Sequence, residues 1–280
     1  MTELRDLTYA DLDWDLLRHN AHIQKCWASK GPQDWDKKSS SFAARNSSSP
    51  YVALLLAHLP LQADMSVLDV GSGPGTLALP IAAKVRSVCA IDYAPNMLTI
   101  LNSTAAAQGI GNIRTIECAW EDDWQTKEVG YHDLVLASRS MSVENLRQAL
   151  VKLNHHARRF VFIADRISPT PFDPEVFAAL GRPFNSGPDY IFTVNILYTM
   201  GIHPHITVLE LDQNSSFPNL EDALRSYRWM IKDLTAAEEL RLRAYLAEKS
   251  RPAPDGGICI RRSQPVRWAL IWWQKQQATA

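Results

Sequence analysis

Three glycines stand at alternate positions of the chain, Gly71, Gly73 and Gly75, directly after the strand-like run at 66–70. Because glycine has no Cβ, such a loop lets the backbone approach a ligand closely. A glycine loop between a strand and a helix is a general device for binding nucleotides. We therefore predict a nucleotide-containing ligand at this loop, with Ser72 among its contacts.

The spacing of the glycines distinguishes between classes of nucleotide. The dinucleotide fingerprint G-x-G-x-x-G requires a glycine at position 76, where this chain has Thr76. The third glycine falls instead at Gly75, and Asp69 lies two positions before the first. Asp92 ends the next apolar run, about 20 positions after the loop, where a carboxylate can accept both ribose hydroxyls. Asp92 alone does not separate dehydrogenases from other nucleotide-binding proteins.

The combination D-x-G-x-G-x-G at the end of a strand resembles motif I of the class I S-adenosylmethionine-dependent methyltransferases. The resemblance implies that Asp69 lies near the ammonium group of S-adenosylmethionine and that the glycines admit its ribose and methionine portions. The segment D-x-x-P-x-M-L, which begins at Asp92, is also common in these enzymes. The resemblance extends the predicted cofactor contacts to the segments that follow the second and third strands: Tyr93, Met97, Ala119, Trp120 and Glu121.

Short apolar runs alternate with amphipathic segments along most of the chain. The runs predict strands at 66–70, 88–92, 113–117, 133–137, 160–164, 205–211 and 266–273. The segments between them predict helices at 51–59, 77–83, 95–108, 143–157, 188–200, 220–231 and 236–248. This alternation is typical of a doubly wound α/β fold. With the resemblance, it predicts a Rossmann-like, mostly parallel seven-stranded sheet with an antiparallel last strand.

Two additions to this domain are predicted. Residues 1–58 form a helical N-terminal lid segment, with a helix over 8–30 that ends at Gly31 and Pro32. Residues 59–280 form the methyltransferase domain, which carries a helical insertion at about 214–262. No internal repeat is present in the sequence.

The composition narrows the possible partners. The 280 residues include 29 Lys and Arg and 30 Asp and Glu, so the net charge of -1 argues against a nucleic-acid partner. The four cysteines form no CxxC pair, and we expect no metal site. No run approaches the ~20 apolar residues that cross a bilayer. The charged N-terminal segment does not resemble a signal peptide, so we expect a cytoplasmic protein without a membrane partner.

The acceptor of the methyl group is the least defined part of the prediction. Trp35, Lys37, Phe42 and Arg45 lie in a polar segment that could close over the cofactor, or could equally be a surface linker. A second hypothesis places Arg139, Asn195 and Tyr198 in the acceptor pocket, where Arg139 would suit an anionic acceptor; its alternative is a structural ion pair. The absence of an N-P-P-Y or D-P-P-Y motif favours a small-molecule acceptor.

Methyl transfer from a sulfonium is an in-line displacement, so positioning can supply most of the catalysis. A general base is needed only where the acceptor retains its proton, and the sequence identifies no catalytic residue. Two other functions stay open: an RNA or protein methyltransferase, and a non-catalytic regulatory protein that binds S-adenosylmethionine. The accepting atom also stays open, as does the choice between a monomer and a homodimer.

Overall fold

A sheet of seven strands forms the centre of the protein. The computed structural model describes residues 8–27, 30–37, 49–212, 214–254 and 256–275. In chain order the seven strands are β1 (Ser66–Val70), β2 (Ser87–Asp92), β3 (Ile113–Glu117), β4 (His132–Ser138), β5 (Ala157–Arg166), β6 (His205–Glu210) and β10 (Arg267–Gln274). In space their order is β3-β2-β1-β4-β5-β10-β6. Strands β1 to β5 pair in parallel, whereas β10 runs antiparallel to β5 and β6, which confirms the predicted fold class.

Helices of the described residues flank this sheet and also form a separate unit beside it. They are α1 (Trp14–Ile23), α2 (32–37), α3 (Pro50–Leu56), α4 (Ala78–Ala82), α5 (Pro95–Ala107), α6 (Leu146–His156), α7 (Pro174–Leu180), α8 (Tyr190–Thr199), α9 (Leu220–Met230) and α10 (Ala236–Lys249). One apolar core contains buried residues of α6 and α8, and the other contains residues of α3 and α4.

Strand β1 shows why the central strands are apolar on both sides. All five of its residues are buried. Leu68 packs into the core that contains α6 and α8, whereas Val67 packs into the core that contains α3 and α4. Burial of both faces replaces the polar–apolar alternation of a half-exposed strand with a mainly apolar run, in which Ser66 and Asp69 are the polar residues. The strand order places the carboxyl end of β1, where the glycine loop begins, between those of β2 and β4.

The predicted helix over 8–30 is wrong in its extent. A 3-10 turn at Tyr9–Asp11 precedes α1, and α1 ends at Ile23. Asp13 caps the start of α1 by accepting a hydrogen bond from the N–H of Leu16. Pro32, which was predicted to stop a helix, instead begins α2. Proline is favoured in a first helical turn because the N–H groups there have no hydrogen-bond acceptor within the helix, so its missing N–H costs nothing.

The region predicted as a helical insertion also contains a second sheet. Its three antiparallel strands are β7 (Asn214–Phe217), β8 (Ser250–Pro252) and β9 (Ile258–Arg261), in the order β7-β9-β8. They enclose a third core with α7, α9 and α10. The two helices predicted in this region are present as α9 and α10, whereas the three strands and α7 were not predicted. The division of the chain at residue 58 stays a prediction.

Within the described residues, no helix combines the length and the apolar character that are needed to cross a bilayer.

Candidate active site

The three loop glycines differ in what surrounds them. Their φ angles are +70°, +55° and +87°, in the left-handed region that favours glycine. A Cβ on Gly71 would lie 2.5 Å from the Cβ of Ser140, and one on Gly75 would lie 2.9 Å from the Cγ of Leu101. A Cβ on Gly73 would meet no described atom within 4 Å. Gly71 and Gly75 therefore allow close packing inside the protein, whereas Gly73 faces open space.

Asp92 joins the end of β2 to the loop. One carboxylate oxygen, Oδ2, accepts a hydrogen bond from the N–H of Gly73 at 2.8 Å, and Oδ1 accepts one from the N–H of Ala94 at 2.9 Å. Burial raises the pKa of Asp92, and these backbone donors counteract that shift. The carboxylate thus fixes the backbone of the loop beside the open space at Gly73.

Asp69 and Ser72 present polar atoms without partners. Asp69 is only 2% exposed, and neither its Oδ2 nor the Oγ of Ser72 has a hydrogen-bond partner among the described residues. Burial and the nearby charge of Asp92 raise the pKa of Asp69 to about 7, against a smaller opposing effect of the Ala78 N–H. Buried polar atoms are nearly always paired, so this loop fits a ligand that brings hydrogen-bond donors and positive charge.

The other predicted cofactor residues lie at the carboxyl ends of β2 and β3. Met97 is buried in the first turn of α5, and the Ala119 N–H donates to Oδ2 of Asp122 at 2.9 Å. Trp120 and Glu121 line a cleft of about 470 Å³ between α1 and the start of α6. The structure thus brings the predicted set to one edge of the sheet, and its contacts with a cofactor stay predictions.

A segment that we call the N-terminal strap, residues 24–27 and 30–37, crosses this edge. On the β5 side, the Trp27 indole N–H donates to Ser186 O at 2.8 Å. On the β2 side, the Tyr93 hydroxyl donates to Lys30 O at 3.2 Å, and the Asn96 N–H donates to Oδ1 of Asp36 at 3.0 Å. The strap therefore reaches across the carboxyl ends of the strands, where the glycine loop also lies.

Helix α2 of the strap also contacts α9, which packs beside the second sheet. The ring of Trp35 lies edge-on to that of Trp229 in α9, with 6.0 Å between centroids. Lys37, the last described residue of α2, is exposed. The predicted lid residues Phe42 and Arg45 lie outside the described residues. The lid role of the described part stays a prediction.

Arg139 follows β4 in a strained conformation, with φ at +58°. Its guanidinium lies 4.3 Å from the ring centroid of Tyr51 and 5.8 Å from that of Trp268. The Tyr51 and Ser138 hydroxyls are 2.6 Å apart and share a hydrogen bond. Burial lowers the pKa of Arg139 and raises that of Tyr51 to about 12. A cation and a protonated phenol therefore stand beside the end of β4.

Comparison with known proteins agrees with this geometry. A family model described as "Methyltransferase domain" matches residues 67–160, which hold the glycine loop, Asp92 and β4. An uncharacterized protein of Haemophilus influenzae (strain Rd) is 32% identical over 278 residues, covering 96% of this chain and 97% of that protein. The chain belongs to the class I S-adenosylmethionine-dependent methyltransferase family.

Solved structures share the fold of this methyltransferase. A putative methyltransferase of Bacillus halodurans superposes with a TM-score of 0.56 at 15% identity, covering 82% of this chain and 100% of that one. A methyltransferase of Thiobacillus denitrificans, solved with S-adenosyl-L-homocysteine, gives a TM-score of 0.52 at 15% identity, covering 88% and 100%. Identities this low show the fold alone.

The methyltransferase does not bring Asn195 and Tyr198 to Arg139. Asn195 Oδ1 accepts a hydrogen bond from the Tyr9 hydroxyl at 3.3 Å, and Tyr198 is 53% exposed with its ring edge-on to that of Tyr9. Both belong to α8, which packs on the opposite face of the sheet from Tyr51, the ring beneath Arg139. Their surroundings give no support to a shared acceptor pocket.

Several residues of this edge were not predicted from the sequence. Ser140 donates a hydrogen bond from Oγ to Val70 O at 2.8 Å and so holds the loop after β4 against β1. Arg18 of α1 donates to Val143 O and Glu144 O at 2.5 and 2.8 Å. A signal for Arg18 was available, because Arg18 and His22 are four residues apart and therefore share one face of the helix.

Among the described residues, no group of three or more His, Cys, Asp or Glu side chains is placed to hold a metal ion.

Proposed function

We propose that this methyltransferase acts on a small molecule that binds at the carboxyl ends of β4 and β5. The observation that carries the proposal is the N-terminal strap, which spans that edge from Ser186 on the β5 side to Asn96 on the β2 side. A covered edge suits an acceptor that can be enclosed, because enclosure excludes water and fixes orientation. An RNA or protein acceptor would require an open face at the same place.

The donor would be held by the loop that follows β1. Gly73 leaves its backbone accessible, Asp92 offers carboxylate oxygens at the end of β2, and Asp69 faces the loop with an unpaired oxygen. When bound, S-adenosylmethionine supplies an electrophilic methyl group on a positively charged sulfur. A positive ligand would stabilise the ionised form of Asp69 and lower its raised pKa. The unpaired atoms of the loop therefore match the charge of this donor.

The acceptor would lie beside the end of β4, close to Arg139 and Tyr51. Arg139 would attract an anionic group of the acceptor, held in place by the two aromatic rings beneath its guanidinium. Tyr51 is fully buried, its hydroxyl is paired with that of Ser138, and its pKa is raised to about 12, so it would support Arg139 rather than act as a base. The contribution of these residues is orientation and exclusion of water, with no proton-transfer residue assigned.

The size of the acceptor can be tested with a labelled donor. Purified protein is incubated with methyl-labelled S-adenosylmethionine and a cell extract divided into a low-mass filtrate, protein and RNA. We expect label in the filtrate, and Arg139→Ala should reduce it by at least about tenfold, as expected when a charged contact is lost. Label found only in protein or RNA would refute a small acceptor. Donor binding without transfer to any fraction would refute catalysis and favour a regulatory protein.

A further inference from the structure

Basic side chains converge beyond the carboxyl end of β5. The Nζ of Lys25 lies 2.6 Å from Nε2 of His22 and 4.4 Å from the ring centroid of Trp27. The guanidinium of Arg166 lies 4.8 Å from the centroid of the same ring. A Cβ on Gly187 would lie 2.8 Å from the Cβ of Lys25 and 3.4 Å from Nη2 of Arg166. With Arg18, these residues form what we call the basic cluster: Arg18, His22, Lys25 and Arg166.

Hydrogen bonds hold two side chains of the basic cluster in defined positions. Arg18 is only 6% exposed, and its guanidinium is fixed by the carbonyl oxygens of Val143 and Glu144 in the loop after β4. Arg166 is fixed by the carbonyl oxygen of Pro188. The two guanidinium groups are therefore hydrogen-bonded to uncharged oxygens, while the charge of Asp165 acts on both of them from nearby.

Three carboxylates act on the guanidinium groups of the cluster, and each has another partner; that of Asp15 is Arg147, at 2.7 Å. Oδ2 of Asp165 accepts from the Thr193 hydroxyl at 2.7 Å, and its Oδ1 accepts from the Arg166 backbone N–H at 2.8 Å. Asp189 accepts from the backbone N–H groups of Ile191 and Ser168, each at 3.2 Å. Burial also raises the pKa of Asp165, so its charge is the costlier form at this place.

The charges of Arg18, Lys25 and Arg166 act on one another and keep the His22 ring neutral. Burial, followed by the charges of Arg166, Arg18 and Lys232, lowers the pKa of Lys25 to about 8. Burial, and then Lys25, Arg18 and Arg166, lowers the pKa of His22 to about 4. Cations collected in a partly buried site repel one another, and an anion among them would relieve that repulsion.

The position of the cluster connects it to the proposed reaction. The sheet order places β5 next to β4, and β4 next to β1 with its glycine loop. Arg18 holds the loop after β4, and Lys25 and Trp27 belong to the N-terminal strap that covers this edge. The cluster thus lies on the acceptor side of the donor loop.

We propose that the basic cluster binds a carboxylate or phosphate group of the methyl acceptor, an inference that rests on the proposed function. Guanidinium and ammonium groups are the side chains that recognise these oxyanions in proteins. The ring of Trp27, with Lys25 and Arg166 beside it, keeps the two cations at one place and offers an apolar surface to the rest of the acceptor.

The test measures anion binding and does not depend on turnover. Inorganic phosphate and succinate are titrated into the full chain saturated with S-adenosylhomocysteine, by calorimetry and by NMR of the His22 ring, assigned with His22→Gln. Lys25→Met removes one charge while keeping an apolar stem, and Lys25→Gln serves as a second variant. Lys84→Met makes the same change at an exposed position. The affinity for S-adenosylhomocysteine reports that each variant is folded.

We expect saturable binding of at least one anion, with a shift of the His22 resonances. Lys25→Met should weaken that binding by at least about tenfold, as expected for loss of a charged partner in a desolvated site, while Lys84→Met should match the wild type. Absence of saturable binding, or equal binding in Lys25→Met, would overturn the inference. If the protein binds the anion but not S-adenosylmethionine, the proposed function is contradicted. The anion bound by the cluster would then not be part of a methyl acceptor.

Discussion

Gly73→Ala separates the binding role of the glycine loop from its structural role. The substitution adds one methyl group at a residue with φ of +55°, where no described atom lies within 4 Å of the new Cβ. The hydrogen bond from this residue's N–H to Asp92 is retained, because alanine keeps the donor. The added methyl group therefore projects into open space without displacing protein atoms.

The expected magnitudes follow from this geometry. A residue with a Cβ in the left-handed conformation costs about 1–2 kcal/mol, so the free energy of unfolding should fall by that amount. The new methyl group also blocks the close approach of a ligand to the backbone. We expect the affinity for S-adenosylmethionine to fall at least about tenfold, which corresponds to about 1.4 kcal/mol.

Gly109→Ala provides the matched control. Gly109 has a φ of +68°, and its Cβ would also meet nothing within 4 Å, but it follows the end of α5. Both variants should lose similar stability in urea denaturation, and only Gly73→Ala should lose affinity in calorimetry. If the two variants bind S-adenosylmethionine equally well, the assignment of the open space at Gly73 to the donor is incorrect.

Three further predictions concern charge, packing and capping. The pKa of Asp69 is about 7 in the folded protein and near 4 in the unfolded chain, so the folded state binds the proton more tightly. The free energy of unfolding should therefore fall as the pH rises from about 4 to 7. Asp69→Asn should reduce this pH dependence in urea denaturation without donor. Leu101→Ala removes a fully buried side chain beneath Gly75 and should cost about 2–5 kcal/mol, whereas Leu240→Ala, at a site 69% exposed, should cost little by thermal denaturation. Asn145→Ala removes the cap of α6 and should cost about 1 kcal/mol by the same measurement.

The central sheet was predictable because its signals are local. The run 66–70 is buried on both faces, and the glycines that follow it each have a positive φ, so both the strand and the loop are evident in residue types alone. Asp92 was identified by its distance from the loop, and the structure places its carboxylate on the Gly73 N–H. The strand with its loop, and Asp92, are therefore both encoded within a short stretch of sequence.

The second sheet was not predictable from the same kind of signal. Strands β7 and β9 have four residues each, and β8 has three and ends in Pro252. Strands this short show no periodicity and depend on long-range pairing. Helix α7 does carry a local signal in the sequence, since Asp173 caps it, Pro174 begins it and Gly181 ends it in a left-handed conformation.

The acceptor residues required the tertiary structure. The hypothesis that Asn195 and Tyr198 join Arg139 rests on their helix lying on the side of the insertion, but periodicity does not tell which face of α8 turns inward. Arg166 and Lys25 lie far apart in the sequence and meet only because the strap returns across the sheet edge. Proximity of this kind leaves no pattern in a single sequence.

The position of β10 sets an order on the assembly of this chain. Strand β6 is the outermost strand on one side of the sheet and pairs with β10, which in turn pairs with β5. A ribosome makes β6 first, then the whole unit from β7 to β9, and only then β10. Until β10 emerges, β6 has no strand to join and the nascent sheet ends at β5. The sheet can therefore be completed only after synthesis of β10, and until then β6 keeps unpaired backbone groups that could pair with another chain.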